Sequence, residues 1–363
     1  MDDKFTIITE RVRAFIGGED GDFDELARDL FALQYEHVEP YRHLCESRGV
    51  MPKNANTIAA IPAIPTTAFK EFEITSLPPN ERTTVFHSSG TTGQTPSRHF
   101  HNAESLHLYE TSARAWFKPH MRTDEVESII TLTPSPKEVP HSSLAHMFDI
   151  IHPEVTPMGR VGEGGKWDLE TDVLDSLSQP DVGPVLLMGT ALSFLQLADR
   201  LPRHRNNIVS HGSRILETGG YKGEKIEWTK TKLHEFISRE YGLKHEEIVS
   251  EYGMCELSSQ AYDTVAGQRG ARRFRFPPWA RARIVSPEHG REVSLGEMGL
   301  LEVIDLANVR SVLAVRTADL AIRHADGFEL ICRTKQSEPR GCSLNASGLD
   351  NRRADEARSR PHA

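Results

Sequence analysis

The sequence predicts an α/β protein built on a mainly parallel sheet, followed by a small β subdomain. Three observations carry this. From residue 128 to 253, short apolar runs alternate with segments of helical periodicity, the order that sets parallel strands side by side through helical crossovers. After residue 273 the pattern changes to short β segments parted by glycine and charged turns. The composition is that of a globular chain: 363 residues, 38% hydrophobic and 26% charged, with mean hydropathy −0.45. That length suits two domains, or one large domain with subdomains.

The elements follow in order. Residues 4–16 (KFTIITERVRAFI) and 24–36 (DELARDLFALQYE) carry apolar residues at helical spacing, with Asp24 placed to cap the second helix. Prolines punctuate 61–68 (IPAIPTTA) and hold it extended. TTVFH at 83–87 reads as a short strand that runs into SSGTTGQTPSRHF at 88–100, where glycines, hydroxyls and Pro96 require a loop. Residues 104–118 read as a helix, 129–134 (IITLTP) as a strand and 142–151 (SSLAHMFDII) as a helix. GPVLLMGT at 183–190 is a buried strand leading into a helix at 191–201, and SRILETGG at 213–220 is a strand ending in a glycine turn. Residues 225–241 form an amphipathic helix with Ile226, Leu233, Phe236 and Ile237 on one side. EIVSEYG at 247–253 closes the run as another strand. The expected division is an α/β core over 1–272, a small, mainly antiparallel β subdomain over 273–340, and a segment 341–363 ending in a polar, frayed tail.

Charge and cysteine usage narrow the function classes. With 43 Lys plus Arg against 52 Asp plus Glu, the formal charge is −9, which disfavours non-specific nucleic-acid binding. No apolar run approaches the roughly 18 residues of a membrane span, and MDDKFTIITERVRAF is not a secretory signal. Cysteines at 45, 255, 332 and 342 fit neither a zinc site nor a disulfide framework, so a cytoplasmic protein with free thiols is expected. Of these, Cys45 falls in a helical stretch and Cys332 in a strand, and both read as structural. The 17 histidines form no HExxH pattern, and His99 and His101 share a face only if RHFH is a strand.

Four segments carry chemistry. SSGTTGQT at 88–95 packs two glycines and five hydroxyl residues into eight positions. Glycine lets backbone close on an anion, and hydroxyl and N–H groups donate to phosphate oxygens. No GK[ST] follows, so it is not a Walker A loop, and by composition alone it also reads as a solvated loop. EYGMCELS at 251–258 places Tyr252, Gly253 and Glu256 at the C-terminal end of a strand, the edge at which open α/β sheets bind ligands. There an aromatic ring packs on a purine and a carboxylate near phosphates holds Mg2+; the alternative is a pair of surface turn residues. In VRTADLA at 315–321, Asp319 is either a turn or cap residue or an acceptor for two ribose hydroxyls. In CRTK at 332–335, Arg333 reaches a nucleotide or pairs with the acidic surface.

In this order the four segments resemble those of the adenylate-forming superfamily, whose members join a carboxylate to AMP and pass the acyl group to a thiol or amine. SSGTTGQT resembles its phosphate loop (Ser88, Ser89, Gly90, Thr91, Thr92, Gly93), YGMCE its YGxTE motif, RTADL its ribose-binding TGD motif and CRTK its GRxD hinge. The ETGG turn, with Gly219 and Gly220, resembles the glycine segment that contacts adenine. More closely, the chain resembles the LuxE-type acyl-protein synthetases, through SSGTTG at 88–93, PPW at 277–279, GEMGLLEVIDL at 296–306 and RGCSL at 340–344, over roughly residues 25–345.

That resemblance implies the large N-terminal domain of an adenylate-forming enzyme, without the C-terminal small domain whose lysine serves catalysis in typical members. It implies ATP and Mg2+ as cofactors, Glu256 as the Mg2+ ligand, a fatty acid as substrate and a LuxC-like acyl reductase as protein partner. It also places the acyl-accepting cysteine at Cys342, where Gly341 leaves room around the sulfur and Arg340 favours the thiolate. On residues alone Cys342 is equally a small buried hydrophobe, and Cys255 is its rival, at the threonine position of YGxTE, where packing is expected. Many members carry a lysine just after the phosphate loop; TPSRH offers Arg98 instead, a bidentate phosphate binder. Ala318 and Cys332 replace glycines of the TGD and GRxD patterns. Two other readings stay open: an acyl- or aryl-CoA ligase of the same superfamily, and a degenerate nucleotide-binding scaffold subunit.

Overall fold

The computed structural model describes residues 4–88, 95–170, 172, 177, 183–200, 208–219 and 228–333. Three helices open the chain: α1 (Lys4–Ile16), α2 (Phe23–His37) and α3 (Glu39–Ser47). Asp22, not Asp24, caps α2. Its carboxylate accepts the backbone N–H groups of Asp24 (2.7 Å) and Glu25 (3.0 Å), donors that no carbonyl within the helix reaches. Asp24 already lies inside the first turn, and its carboxylate instead takes Arg281 at 2.7 Å.

β1 (Ile64–Pro65) and the short helix α4 (Ala68–Glu71) follow the proline-rich stretch. β2 (Thr84–His87) pairs antiparallel with β3 (Arg98–His101), His87 opposite Arg98. The strand therefore takes up three residues, 98–100, that the sequence assigns to a loop. RHFH completes the ladder of TVFH and buries His99, Phe100 and His101. On β3 the rings of His99 and His101 do share a face, with centroids 4.3 Å apart. Helix α5 (Ala103–Met121) comes next, with Asn102 and Ser105 exchanging hydrogen bonds in a capping box at its start.

The larger sheet has six strands. They are β4 (Ser128–Thr131), β5 (Val155–Pro157), β8 (Val185–Thr190), β9 (Arg214–Thr218), β10 (Ile248–Tyr252) and β11 (Ala261–Tyr262), in the order β11-β10-β9-β8-β4-β5. Every neighbouring pair is parallel except β10 with β11. β6 (Gly159–Val161) and β7 (Trp167–Leu169) form a separate ribbon. The crossovers are α6 (Ser143–Ile150), α7 (Ala191–Asp199) and α8 (Lys230–Tyr241). Leu233 and Ile237 of α8 are buried, with Phe236 packed beside them; Ile226 lies outside the described residues. The strand segments VLLMG and RILE are buried throughout, as parallel strands between helices must be.

The second sheet contains β12 (Ala280–Val285), β13 (Met298–Asp305), β14 (Ala314–His324) and β15 (Gly327–Arg333), all antiparallel to their neighbours. Its fifth strand is β1, which pairs parallel with β14, Ile64 opposite Val315. The same core cluster takes Phe5, Ile8, Leu30 and Phe31 from α1 and α2 together with Leu301, Val303, Val315 and Phe328 from this sheet. Residues on both sides of 272/273 thus share one core. Gln34 fixes this packing. Fully buried, its amide donates to the carbonyls of Asn308 (2.8 Å) and Val309 (3.1 Å) and accepts the N–H of Leu313 (2.8 Å). Among the described residues, no helix is long and apolar enough to cross a membrane.

Candidate active site

The sequence-assigned motifs meet at the C-terminal edge of the parallel sheet, where β9 and β10 end. β9 finishes at Thr218, followed by Gly219 in the left-handed region (φ +70°), a conformation that glycine adopts without steric cost. β10 finishes at Tyr252, and Glu251 lies opposite Thr218 in the ladder. The glycine turn and the YGMCE segment are therefore neighbours.

The segment after Tyr252 docks on the base of the phosphate-type loop. The carbonyl of Cys255 meets His99 Nδ1 at 2.7 Å, and its Sγ lies 4.0 Å from the Ser97 carbonyl. Cys255 is 6% exposed, the packing role expected for it. Ser88 and Ser97 close the neck of the loop: the Ser88 N–H donates to the Ser97 carbonyl (3.0 Å), and the Ser97 N–H donates to Ser88 Oγ (2.8 Å). Burial drives the His99 imidazole down to about 4, against the pull of the Cys255 carbonyl, so it is neutral at pH 7. Ser89, Gly90, Thr91, Thr92 and Gly93 lie outside the described residues, as do Gly220 and Cys342. Arg98, just past the neck, sits 3.5 Å from Glu73 and over the ring of Phe100.

Asp319 on β14 is brought to the same place. The Tyr252 hydroxyl donates to its carboxylate at 2.8 Å, and Thr317 Oγ1 accepts its N–H at 3.0 Å. Asp319 is thus a strand residue with a buried partner rather than a turn or cap. Arg333 stands opposite Asp319 in the β14–β15 ladder, so the RTADL and CRTK segments are cross-strand neighbours. The Tyr252 ring packs edge-on against Phe274, Phe276 and Phe328, so Tyr252 is a buried residue and not part of an exposed turn. Cys332 is exposed on β15, whereas Cys45 is buried in α3.

Glu256 is 4% exposed, with its backbone carbonyl held by Asn308 at 2.9 Å. No described residue hydrogen-bonds its carboxylate, and no group of three or more His, Cys, Asp or Glu among the described residues makes a metal cage. Glu256 thus offers one carboxylate, and Mg2+ takes one or two from a protein, completing its shell with water and substrate phosphates.

The sequence reading missed three acids. Glu217 is fully buried at the end of β9. Burial alone raises its pKa, yet Lys230 (2.6 and 2.8 Å) and His234 (3.1 Å) overcome this and hold it down to about 2. Asp305, at the end of β13, accepts Ser258 N (2.9 Å) and Ser259 Oγ (2.7 Å), fixing the chain just beyond Glu256; burial pushes it up to about 6. Glu251 is the third. The available signal was an acid inside an apolar strand run: RILET, EIVSEY and LLEVID. A cleft of about 370 Å³ lined by Lys118, Pro119, Arg122, Asp124 and Glu125 opens at the other end of the sheet, beside Arg214 at the start of β9, and touches none of these motifs.

The fold is shared with an acyl-CoA ligase of known structure. An open-conformation structure of 2-hydroxyisobutyryl-CoA ligase, in complex with 2-HIB-AMP and CoA, superposes with a TM-score of 0.67 at 15% identity, over 90% of this chain and 80% of that one. The resemblance read from the sequence is borne out as well. The family model described as "Acyl-protein synthetase, LuxE" matches residues 23–110. The chain is similar to long-chain-fatty-acid–luciferin-component ligases from Aliivibrio fischeri (23% identity, 90% of this chain, 88% of the relative) and Vibrio harveyi (21%, 89% and 86%).

Proposed function

We propose that this protein activates a fatty acid with ATP to acyl-AMP and transfers the acyl group to the thiol of Cys342. The observation that supports this most is the convergence of the loop neck, the Tyr252–Asp319 pair and the ETGG turn at one sheet edge. It is reinforced by the likeness to ligases named for long-chain fatty acids.

The fatty carboxylate attacks the α-phosphorus of ATP and expels pyrophosphate, turning a poor leaving group, oxide, into a good one, AMP. Ser88, Ser89, Thr91 and Thr92, with the backbone of Gly90 and Gly93, cradle the phosphates, and Arg98 adds positive charge beside them. Asp319 accepts the ribose hydroxyls, Tyr252 orients Asp319, Gly219, Gly220 and Gly253 keep backbone close to the base, and Arg333 serves to bind the nucleotide. Mg2+ at Glu256 supplies charge neutralisation on the phosphates when bound. The Cys342 thiolate then attacks the acyl carbonyl, AMP departs and a thioester forms. A LuxC-like reductase that collects the acyl group and makes aldehyde completes the reading, set in the cytoplasm where thiols stay reduced.

The test is acylation with ATP, Mg2+ and labelled tetradecanoic acid, in wild type and Cys342→Ser. Hydroxylamine-labile label on the wild type alone, with ATP–pyrophosphate exchange in both, is the expected result. Label moving to added CoA in both proteins would favour the CoA-ligase reading, which the likeness to 2-hydroxyisobutyryl-CoA ligase motivates. ATP binding without exchange for any acid would leave a scaffold.

A further inference from the structure

The motifs account for Thr218–Gly219 and for Tyr252–Gly253, but not for the acid buried between them. Glu251 is 5% exposed. One carboxyl oxygen accepts the Thr218 hydroxyl. The other lies under Gly253, so close that a Cβ there would stand 2.4 Å from it. Gly253 is thus the residue that lets the second turn close over the Glu251 carboxyl, while Thr218 ties the first turn to it. Among the described residues, the titratable groups facing Glu251 are Glu217 from β9, Lys230 from α8, Tyr109 from α5 and Tyr262 from β11. Of these, Glu217 is anionic, and the Lys230 ammonium is already committed to it at 2.6 and 2.8 Å. Among the described residues, an ionised Glu251 would be a second buried negative charge beside Glu217, with the Lys230 ammonium shared between them.

We propose that Glu251 is a positioning residue for the nucleotide: its carboxyl holds the two turns together, and nucleotide binding draws a proton onto it. This rests on the adenylation reading, which brings the negative charge of ATP to this edge. Burial raises the Glu251 carboxyl to about 7; the Thr218 hydroxyl and Lys230 pull it down and Glu217 pushes it up. A polyanion arriving nearby raises it further. Between the free and bound values the complex carries more protons than its separated partners, so affinity falls as pH rises through and above 7.

The experiment is calorimetric titration with ATP and Mg2+ in HEPES and in Tris, from pH 6.5 to 8.5, for wild type and Glu251→Gln. The amide keeps an acceptor for Thr218 and cannot ionise, and the nucleotide's own titration is common to both proteins. The wild type is expected to take up more protons than the variant at pH 7.5. Its Kd is expected to weaken by about tenfold across the range, against about twofold or less in Glu251→Gln. Equal proton uptake and parallel curves would overturn the proposal. Thr218→Ser and Thr218→Val give an independent measure if Glu251→Gln does not fold. Serine keeps the wild-type pH midpoint, and valine, which removes the hydroxyl that favours the carboxylate, moves it upward; an unmoved midpoint in valine also overturns the proposal. A wild type that binds ATP but exchanges no pyrophosphate would sink the adenylation reading while the pH comparison still decides Glu251. A wild type that binds no ATP would sink both.

Discussion

The Tyr252 hydroxyl and the Asp319 carboxylate show how a single bond joins two motifs 67 residues apart. A buried carboxylate left short of a donor incurs its own uncompensated desolvation, on the order of 1–3 kcal/mol. Tyr252→Phe is therefore expected to lower unfolding stability by about that amount. If Asp319 holds ribose, the same change raises KM for ATP in pyrophosphate exchange while kcat stays near wild type. A KM that does not move would separate this bond from the nucleotide site. Tyr252 was identifiable from the sequence as an aromatic group at a strand end beside glycine, and Asp319 through the likeness of RTADL to a ribose-binding motif. Their contact was not, since nothing in the local pattern of either segment specifies a partner so distant. Glu251 and Glu217 escaped for the opposite reason: their partners, Thr218, Lys230 and His234, lie on neighbouring elements, and within the strand runs the acids read as ordinary strand-end polarity.

At the scale of elements, periodicity placed most helices and strands, and chain ends were where it faltered. The α2 cap is the clearest case. Apolar spacing marks where a helix begins only to within a residue or two, and in DFDE either aspartate satisfies the cap preference. Only the geometry distinguishes them: Asp22 accepts two backbone N–H groups, whereas Asp24 meets Arg281 at an exposed surface. Asp22→Ala is expected to lower the midpoint of denaturant unfolding, and Asp24→Ala to leave it nearly unchanged. Equal losses would contradict this assignment. The β2–β3 hairpin was half legible. TVFH reads as a strand, but a serine- and glycine-rich approach concealed the strand character of RHFH, whose burial comes from the packing of His99 and His101.

For the whole molecule, the alternation of strands and helices identified the parallel sheet, and the change of pattern after 273 identified the antiparallel one. The pairing of β1 with β14 was invisible, because a two-residue strand carries no period. Nor could the sequence reveal that α1 and α2 pack on the later sheet, a contact that only the assembled core specifies. Gln34 is the sharpest test of that assembly. Gln34→Leu keeps the volume roughly constant but strands two carbonyls and one N–H in the core, at a cost of about 3 kcal/mol or more. A loss under about 1 kcal/mol would mean that water or backbone relaxation replaces the amide. The same clasp bears on how the chain is made. The partners of Gln34 are translated some 274 to 279 residues after it. At about 5–20 residues per second, the apolar faces of the first two helices must wait on the order of tens of seconds outside the ribosome before the surface they cover exists.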